Sequence, residues 1–479
     1  MEDKIMLHFG TGGWRAIIGD EFTKSNIQLV AKAVAVKILE EHQESTPVVI
    51  GYDRRFLSKE AMVWAGEVIA SNGIRAMLVE RSSPTPLVMY YVMAHDLKYG
   101  MMITASHNPS LYNGIKIVTE GGRDANEEVT GELEKIIARL EKNDTTAPVR
   151  TAKELQADGL ITFFNPLNEY LDNVISKIDM QAIRNANLRI AIDPLYGVSM
   201  RSLNTIFSTA RCELEMLHAE HDTLFAGKMP APDESTVKSL QNYVTDYGFD
   251  LGIATDGDAD RIGLIDDKGR YVDANSILCI LYYYFLEYKK MRTPVVKNLA
   301  TTYLLERIAA AYGETCYEVP VGFKHISAKM RETGAYLGGE SSGGLTVMGH
   351  INGKDAIYAS ALLVEVIAKT GKRMSELTEE IYDRFGRYHT EVRNIAFPAE
   401  RRAELMHRIY EEHELPAFDE KIARISYLDG CKVYFENTGW LLIRFSGTEP
   451  LLRIFCEMPG TDPAQAAAIC GKVRAQFGI

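Results

Sequence analysis

Residues 294–312 read "PVVKNLATTYLLERIAAAY". A short β-rich apolar run leads through a polar turn into a segment with helical spacing of its apolar residues. That is a strand feeding a helix. The pattern recurs. "VVIGYD" at 48–53 precedes a helix expected near Ser58 to Ser71, and "LRIAID" at 188–193 precedes another. Strands alternating with helices place the chain in the α/β class, and the three occurrences suggest three related units. The texture changes after about residue 386. "CKVYFE", "WLLIRF" and "LLRIFCEM" are closely spaced strands, followed by a helix through "DPAQAAAICGKVRAQF". The expected architecture is three related α/β domains plus a smaller C-terminal α+β domain. The polar stretch "EKNDTTAPVR" at 141–150 reads as a surface loop near the end of the first.

The chain length of 479 residues fits this division, being too long for one ordinary core. Hydrophobic residues make up 46% and charged residues 25%, a globular balance, and the net charge is -12. That charge argues against a general nucleic-acid binder but leaves room for a local basic pocket. The start, "MEDKIMLHFG", does not read as a secretory signal. The longest apolar run, Ile277 to Leu286, is too short to span a bilayer and reads as a buried helix. Six cysteines without a CxxC pair read as reduced thiols of a cytoplasmic protein.

Several turns carry candidate chemistry. "ATDGDADRIG" holds Asp256, Asp258 and Asp260 after an apolar run. Three alternating carboxylates need a cation, and hard oxygen ligands suit Mg²⁺ or Ca²⁺. Arg261 and Asp267 stand where an EF-hand needs Gly and Glu, so that motif is excluded. "WLLIRFSGTEPLLRIF" places Arg444, Ser446, Gly447 and Thr448 between two strands, with Arg453 following. Guanidinium, hydroxyls and a glycine amide make a phosphate cradle. "FGTGGWRAIIGDEFT" fails as a dinucleotide fingerprint but offers Arg15 to a phosphate. "YLGGESSGGLTV" puts Glu340 and Ser342 among glycines, a backbone on which a sugar can lie close. Lys354 precedes a helix in "GHINGKDAIYA", and Lys324 lies in "VGFKHI".

"ITASHNPSLYNGIK" at 103–116 sets Ser106 at the end of a strand, with His107 beside it and Lys116 further on. A Ser-His hydrolase is disfavoured, because adjacent residues rarely align base and hydroxyl and no G-x-S-x-G elbow is present. A serine beside a metal loop and phosphate-binding arginines fits phosphoryl transfer. Lys116 becomes an acid or base if its surroundings lower its pKa.

Together these motifs resemble the α-D-phosphohexomutase family of phosphoglucomutases, phosphomannomutases and phosphoglucosamine mutases. "TASHNP" resembles the phosphoserine loop, "DGDADR" the metal loop, "GESSGG" the sugar-binding loop and "RFSGTEP" the distal phosphate loop, in the expected order. The resemblance implies domains over about 1–160, 161–272, 273–386 and 387–479 around one cleft. It implies Ser106 as the phosphorylated residue, with Asp256, Asp258, Asp260 and a phosphate oxygen of Ser106 holding Mg²⁺. Arg15 and Lys116 flank that centre as electrostatic and proton-transfer groups, and His107 completes the candidate catalytic set. Lys324, Glu340, Ser342, Lys354, Arg444, Ser446, Gly447, Thr448 and Arg453 are the substrate-binding set. The implied partner is a hexose phosphate, with no nucleic acid and no membrane, and a hexose 1,6-bisphosphate is the priming activator. Ser341 stands where glucosamine mutases typically carry Gln and many dual-specificity mannomutases Met, and the loop ends in Gly344 where some members carry His. This ending resembles phosphoglucomutase. Phosphomannomutase or dual specificity is the alternative, and a metal-dependent sugar-phosphate phosphatase is the rival of another class.

Overall fold

A computed structural model describes residues 7–10, 13–143, 149–445 and 451–479. The chain forms two compact units. One comprises the residues up to Ala274 together with Ser342–Ser375, and the other comprises Asn275–Ser341 and Glu376–Ile479.

The first unit holds two sheets. Strands Val48–Tyr52, Ala76–Val79 and Tyr99–Ile103 are parallel, which strand–helix–strand crossovers allow. The helices Ser58–Ser71 and Thr85–Ala94 make those crossovers. Tyr112–Thr119 then runs antiparallel to Tyr99–Ile103, and Trp14–Ile17 pairs with it at the edge. This order places the Thr104–Leu111 turn at the carboxyl end of a parallel strand, where α/β sheets present their ligand sites. Ile50, Met101 and Ile103 are fully buried in the sheet's core, with Trp14 and Phe22 stacked beside them. Ile161–Phe164, on the far side of the expected boundary at 160, pairs with Ala76–Val79 in this same sheet. The expected loop at 141–150 starts late. The helix Glu127–Asn143 runs into it, and 144–148 lie outside the described residues.

In the second sheet Arg189–Asp193, Glu213–Met216 and Leu251–Thr255 are parallel, and Ile262–Ile265 returns antiparallel to Leu251–Thr255. The aspartate loop is the turn of that last hairpin. Leu345–Val347 and the helix Ala356–Thr370 also belong to this unit. That helix is buried along most of its length and is capped by Asp355, which accepts from the amides of Ile357 and Tyr358 at 2.8 and 3.0 Å.

The second unit carries a parallel sheet of Val295–Asn298, Cys316–Val319 and Leu337–Gly339. The opening stretch is therefore a strand followed by the helix Leu304–Ala311. Ile277–Leu286 is buried as expected, but its helix Ala274–Tyr283 continues as a π turn over Tyr284–Tyr288. The C-terminal part is an antiparallel sheet in the order Tyr388–Ala396, Leu451–Pro459, Trp440–Phe445, Cys431–Phe435 and Ile422–Ser426. The helix Pro463–Phe477 packs its Ile469, Cys470 and Val473 into the core of that sheet. Among the described residues no helix is long and apolar enough to cross a membrane.

Candidate active site

The Thr104–Leu111 turn is held from beneath by residues of the "GYDRRF" segment. Arg55, 3% exposed, donates to four carbonyls: Ser106 at 2.7 Å, Asn108 at 2.6 Å, and Pro109 and Tyr112 at 2.9 Å each. Asp53 accepts from Thr104 Oγ1 at 2.6 Å and Ser58 Oγ at 2.8 Å. The Thr104 hydroxyl in turn accepts from the Ser106 amide at 2.8 Å. So fixed, Ser106 sits at φ 53°, a left-handed backbone that a non-glycine residue adopts at a cost of about 1 kcal/mol or more. Its hydroxyl donates to Asp256 Oδ2 at 2.9 Å.

The Thr255–Arg261 turn meets this loop closely. A Cβ on Gly257 would stand 2.8 Å from the Ser106 carbonyl oxygen, so only glycine allows the approach. Asp256 Oδ1 accepts from the amides of Asp260 and Arg261 at 2.9 and 3.0 Å, which turns Oδ2 outward to the serine. Asp256, Asp258 and Asp260 are all buried, and one oxygen from each lies within 4.8 Å of the others. Lys116 Nζ donates to Asp258 Oδ2 and Asp260 Oδ2, at 2.7 Å each, and Lys354 Nζ reaches Asp260 Oδ2 at 3.1 Å. Asp258 Oδ1 and Asp260 Oδ1 are buried with no hydrogen-bond partner. Two orphaned anionic oxygens beside a third carboxylate fit a hard divalent cation such as Mg²⁺.

The electrostatics follow from this crowding. Burial and then Asp258 and Asp260 push Asp256 well above the usual carboxylate range. Burial also works against the charge on Asp260, but Lys116, Lys354 and Arg261 outweigh it and hold that group well below its ordinary value. For Lys116, burial is likewise overcome, here by Asp258 and Asp260, and its pKa rises. The sequence-based condition for Lys116 as an acid or base, a lowered pKa, is therefore not met, because Asp258, Asp260 and Asp124 outweigh burial and the nearby Arg15. His107 is depressed well below its ordinary value by Arg261, then by burial, then by Arg15 and Lys354. Its Nδ1 lies 3.3 Å from Ser106 Oγ, so adjacency does bring ring and hydroxyl together in this turn. Arg15, from the edge strand, donates to Asn108 Oδ1 in the same loop.

The first unit thus gathers Arg15, Ser106, His107, Lys116, Lys354 and the three aspartates. Ser342 lies in the same unit and is exposed. Four other candidates belong to the second unit. Glu340, 7% exposed, follows the strand Leu337–Gly339 and accepts from Asn298 Nδ2 at 3.2 Å. Lys324 lies in the first turn of the helix Phe323–Thr333. Arg444 and Arg453 are opposed across the hairpin, and Arg444 Nε donates to Asp429 at 2.9 Å. Ser446, Gly447 and Thr448 lie outside the described residues. Sequence reasoning missed Asp53, Arg55 and Thr85. The signal for the first two was present: charged residues directly after the buried strand Val48–Tyr52. Thr85 Oγ1 donates to Asp258 Oδ2 at 2.6 Å, a partnership across 173 positions that no local pattern reveals.

Comparison with known proteins agrees with this layout. Models of "Phosphoglucomutase/phosphomannomutase" match the chain in order: alpha/beta/alpha domain I over residues 6–144, domain II over 168–269, domain III over 273–385 and the C-terminal domain over 399–476. The chain is 28% identical over 460 residues to a phosphoglucomutase/phosphomannomutase of Thermococcus kodakarensis, covering 95% of this chain and 96% of the relative. It is 30% identical over 461 residues to a probable phosphoglucosamine mutase of Pyrococcus furiosus, covering 96% and 95%. The crystal structure of a putative phosphomannomutase from Thermus thermophilus superposes with a TM-score of 0.85 at 25% identity, covering 99% of each chain. With four family domains in order along the sequence and the serine–aspartate centre in the first unit, the chain belongs to the phosphoglucomutase/phosphomannomutase family of phosphohexomutases, isomerases that act as intramolecular phosphotransferases.

Proposed function

We propose that the protein interconverts glucose 1-phosphate and glucose 6-phosphate through a phosphoserine at Ser106 and a bound glucose 1,6-bisphosphate. The observation that carries this reading is the Ser106 hydroxyl donating to Asp256 at 2.9 Å, at the edge of a buried triad of carboxylates. In the transfer, a sugar hydroxyl oxygen forms the new bond to phosphorus and the bond to Ser106 Oγ breaks. The bisphosphate then turns, and its other phosphoryl group returns to Oγ. Asp256, Asp258 and Asp260 are the residues to hold Mg²⁺, on which this family depends, with a phosphate oxygen on Ser106 completing the set. The ion supplies charge neutralisation on the phosphoryl oxygens. Arg15, Lys354 and Lys116 add positive charge around the same point. Because Lys116 is an ammonium clamped by two carboxylates, its part in this reading is charge. Proton exchange with the reacting oxygen falls to the neutral His107 ring beside Oγ.

Lys324, Glu340, Ser342, Arg444, Arg453, Ser446, Gly447 and Thr448 are the substrate-binding set of this reading, within a four-domain division near residues 160, 272 and 386. Glu340 and Ser342 read sugar hydroxyls, and Arg444 with Ser446, Gly447 and Thr448 takes the phosphate that is not reacting. The preference for glucose is supported by Ser341 and the Gly343–Gly344 ending. A glucose bisphosphate also serves as the priming activator, phosphorylating Ser106 in fresh enzyme. Kinetics on glucose, mannose and glucosamine 1-phosphates side by side test the assignment, with phosphate release measured in parallel. The highest kcat/KM on glucose 1-phosphate without net phosphate release is expected. A clear preference for either other sugar overturns the substrate, and stoichiometric phosphate release overturns the mutase reading in favour of a phosphatase.

A further inference from the structure

In each of the three sheets with parallel strands, the first of those strands ends on an aspartate or asparagine that folds the chain over the strand's end. Asp53 follows Val48–Tyr52, Asp193 closes Arg189–Asp193, and Asn298 closes Val295–Asn298. All three are buried, at 2% exposed or less. In each, the side-chain Oδ1 accepts from the amide two residues on: Arg55 at 2.9 Å, Leu195 at 2.8 Å and Ala300 at 2.9 Å. Asp and Asn serve that turn equally well. The second atom of the side chain separates the three. Asp53 Oδ2 accepts from the Thr104 hydroxyl at 2.6 Å, and Asp193 Oδ2 lies 2.8 Å from His218 Nδ1. Asn298 Nδ2 instead donates to Glu340 Oε2 at 3.2 Å. Two strand ends face a hydroxyl or an imidazole and carry carboxylates, whereas the third faces a carboxylate and carries an amide.

The surroundings fix which way that amide points. Asn298 Oδ1 also accepts from Thr301 Oγ1 at 2.8 Å, and a flipped amide would set its NH₂ against the Ala300 N–H. Thr301, fully buried, passes the connection on, because its Oγ1 accepts from the Ser341 amide at 3.2 Å. Glu340 and Ser341 are consecutive, so Asn298 holds the head of the "GESSGG" loop directly and again through Thr301. An aspartate at this position would keep the turn and the Thr301 contact. It would also present an anion where Nδ2 now reaches Glu340, and two buried carboxylates so placed repel or must share a proton.

We propose that Asn298 is a positioning residue for sugar recognition, its amide fixing the Glu340 carboxylate in the orientation that takes the sugar's hydroxyls. The need for a donor toward Glu340 is the reason this strand end carries Asn where the other two carry Asp. The functional half of the inference rests on the reading of Glu340 as a sugar-binding group; the contact between the two side chains does not.

A double-mutant cycle on the full chain tests it, with glucose 1-phosphate kinetics and thermal melting of wild type, Asn298→Asp, Glu340→Gln and the double variant. A hydrogen bond to a charged group is worth about 10- to 100-fold, so Asn298→Asp should raise KM by about tenfold or more. Its kcat should change much less, and its melting temperature should fall. In the double variant the introduced glutamine donates to the introduced aspartate, which restores the bond with its polarity reversed. Its melting temperature and KM should therefore match those of Glu340→Gln alone, and this recovery decides the matter even if Asn298→Asp alone does not fold. A role in the turn alone predicts an unchanged KM in Asn298→Asp, which keeps both acceptor contacts; that result overturns the inference. An equal cost of Asn298→Asp with Glu340 present or replaced overturns it as well. A KM unmoved by Glu340→Gln overturns the sugar-reading role of Glu340 and the functional half of the inference with it, while the melting temperatures still decide the contact.

Discussion

Thr85→Val removes one hydroxyl from behind the aspartate turn while keeping the side chain's shape. Thr85 is fully buried, and its Oγ1 donates to Asp258 Oδ2 at 2.6 Å. The backbone bond from its amide to the Asp258 carbonyl, at 3.0 Å, survives the substitution, as does the Lys116 contact to the same carboxylate oxygen at 2.7 Å. The turn therefore stays folded, and the loss is confined to one hydrogen bond that orients a carboxylate. Such bonds to charged groups contribute about 1.5–3 kcal/mol. At about 1.4 kcal/mol per tenfold, that is roughly 10- to 100-fold in cation affinity, the range expected when a group orienting a metal ligand is removed. The assay is mutase activity against Mg²⁺ concentration. The half-saturating concentration should rise by that factor while kcat at saturating Mg²⁺ changes little, and Thr85→Ser should restore it. A Mg²⁺ requirement unchanged in Thr85→Val would refute the reasoning that this threonine orients a metal ligand.

Lys116→Met removes the ammonium between Asp258 and Asp260, leaving buried Asp258 without its ion-pair partner and Asp260 with only Lys354 and the more distant Arg261. It should cost about 3–5 kcal/mol of stability in chelator, partly restored by Mg²⁺, and equal stability of both proteins in chelator would count against the ion-pair assignment. Arg444→Ala should raise KM for the sugar phosphate much more than it lowers kcat, and initial-rate kinetics with an unchanged KM would contradict a phosphate-holding role. Glu457, 1% exposed, accepts from Trp440 Nε1 at 2.9 Å, the Tyr303 amide at 2.7 Å and Thr390 Oγ1 at 3.0 Å. Glu457→Leu orphans all three donors and should cost about 3 kcal/mol or more in urea denaturation, whereas a cost below about 1 kcal/mol would show that these donors find other partners.

The alternation of apolar runs and helical segments was readable because each strand–turn–helix unit is local, and Val48–Tyr52 followed by Ser58–Ser71 falls where the pattern placed it. The aspartate turn was readable for a similar reason, since alternating carboxylates in a glycine-containing hairpin are costly unless a cation gathers them. The electrostatic state of Lys116 was not readable. Its spacing from Ser106 is local, but the two aspartates that fix its charge lie 142 and 144 residues away. Arg55 was passed over for a related reason. A charged residue at a strand end usually faces water, and only the folded chain brings four carbonyls to its guanidinium. The strand Ile161–Phe164 carries an apolar pattern that fits either neighbouring sheet, and pairing with Ala76–Val79 decides between them.

The central claim is that Ser106 carries the phosphoryl group during turnover. Peptide-level mass measurement of purified enzyme, before and after incubation with glucose 1,6-bisphosphate, tests it most directly. The account predicts one added phosphoryl group on the peptide containing Ser106, rising in step with activity, and none in a folded but inactive Ser106→Ala variant. Wild-type turnover by Ser106→Ala, or full activity with the phosphoryl group on another residue, would contradict it.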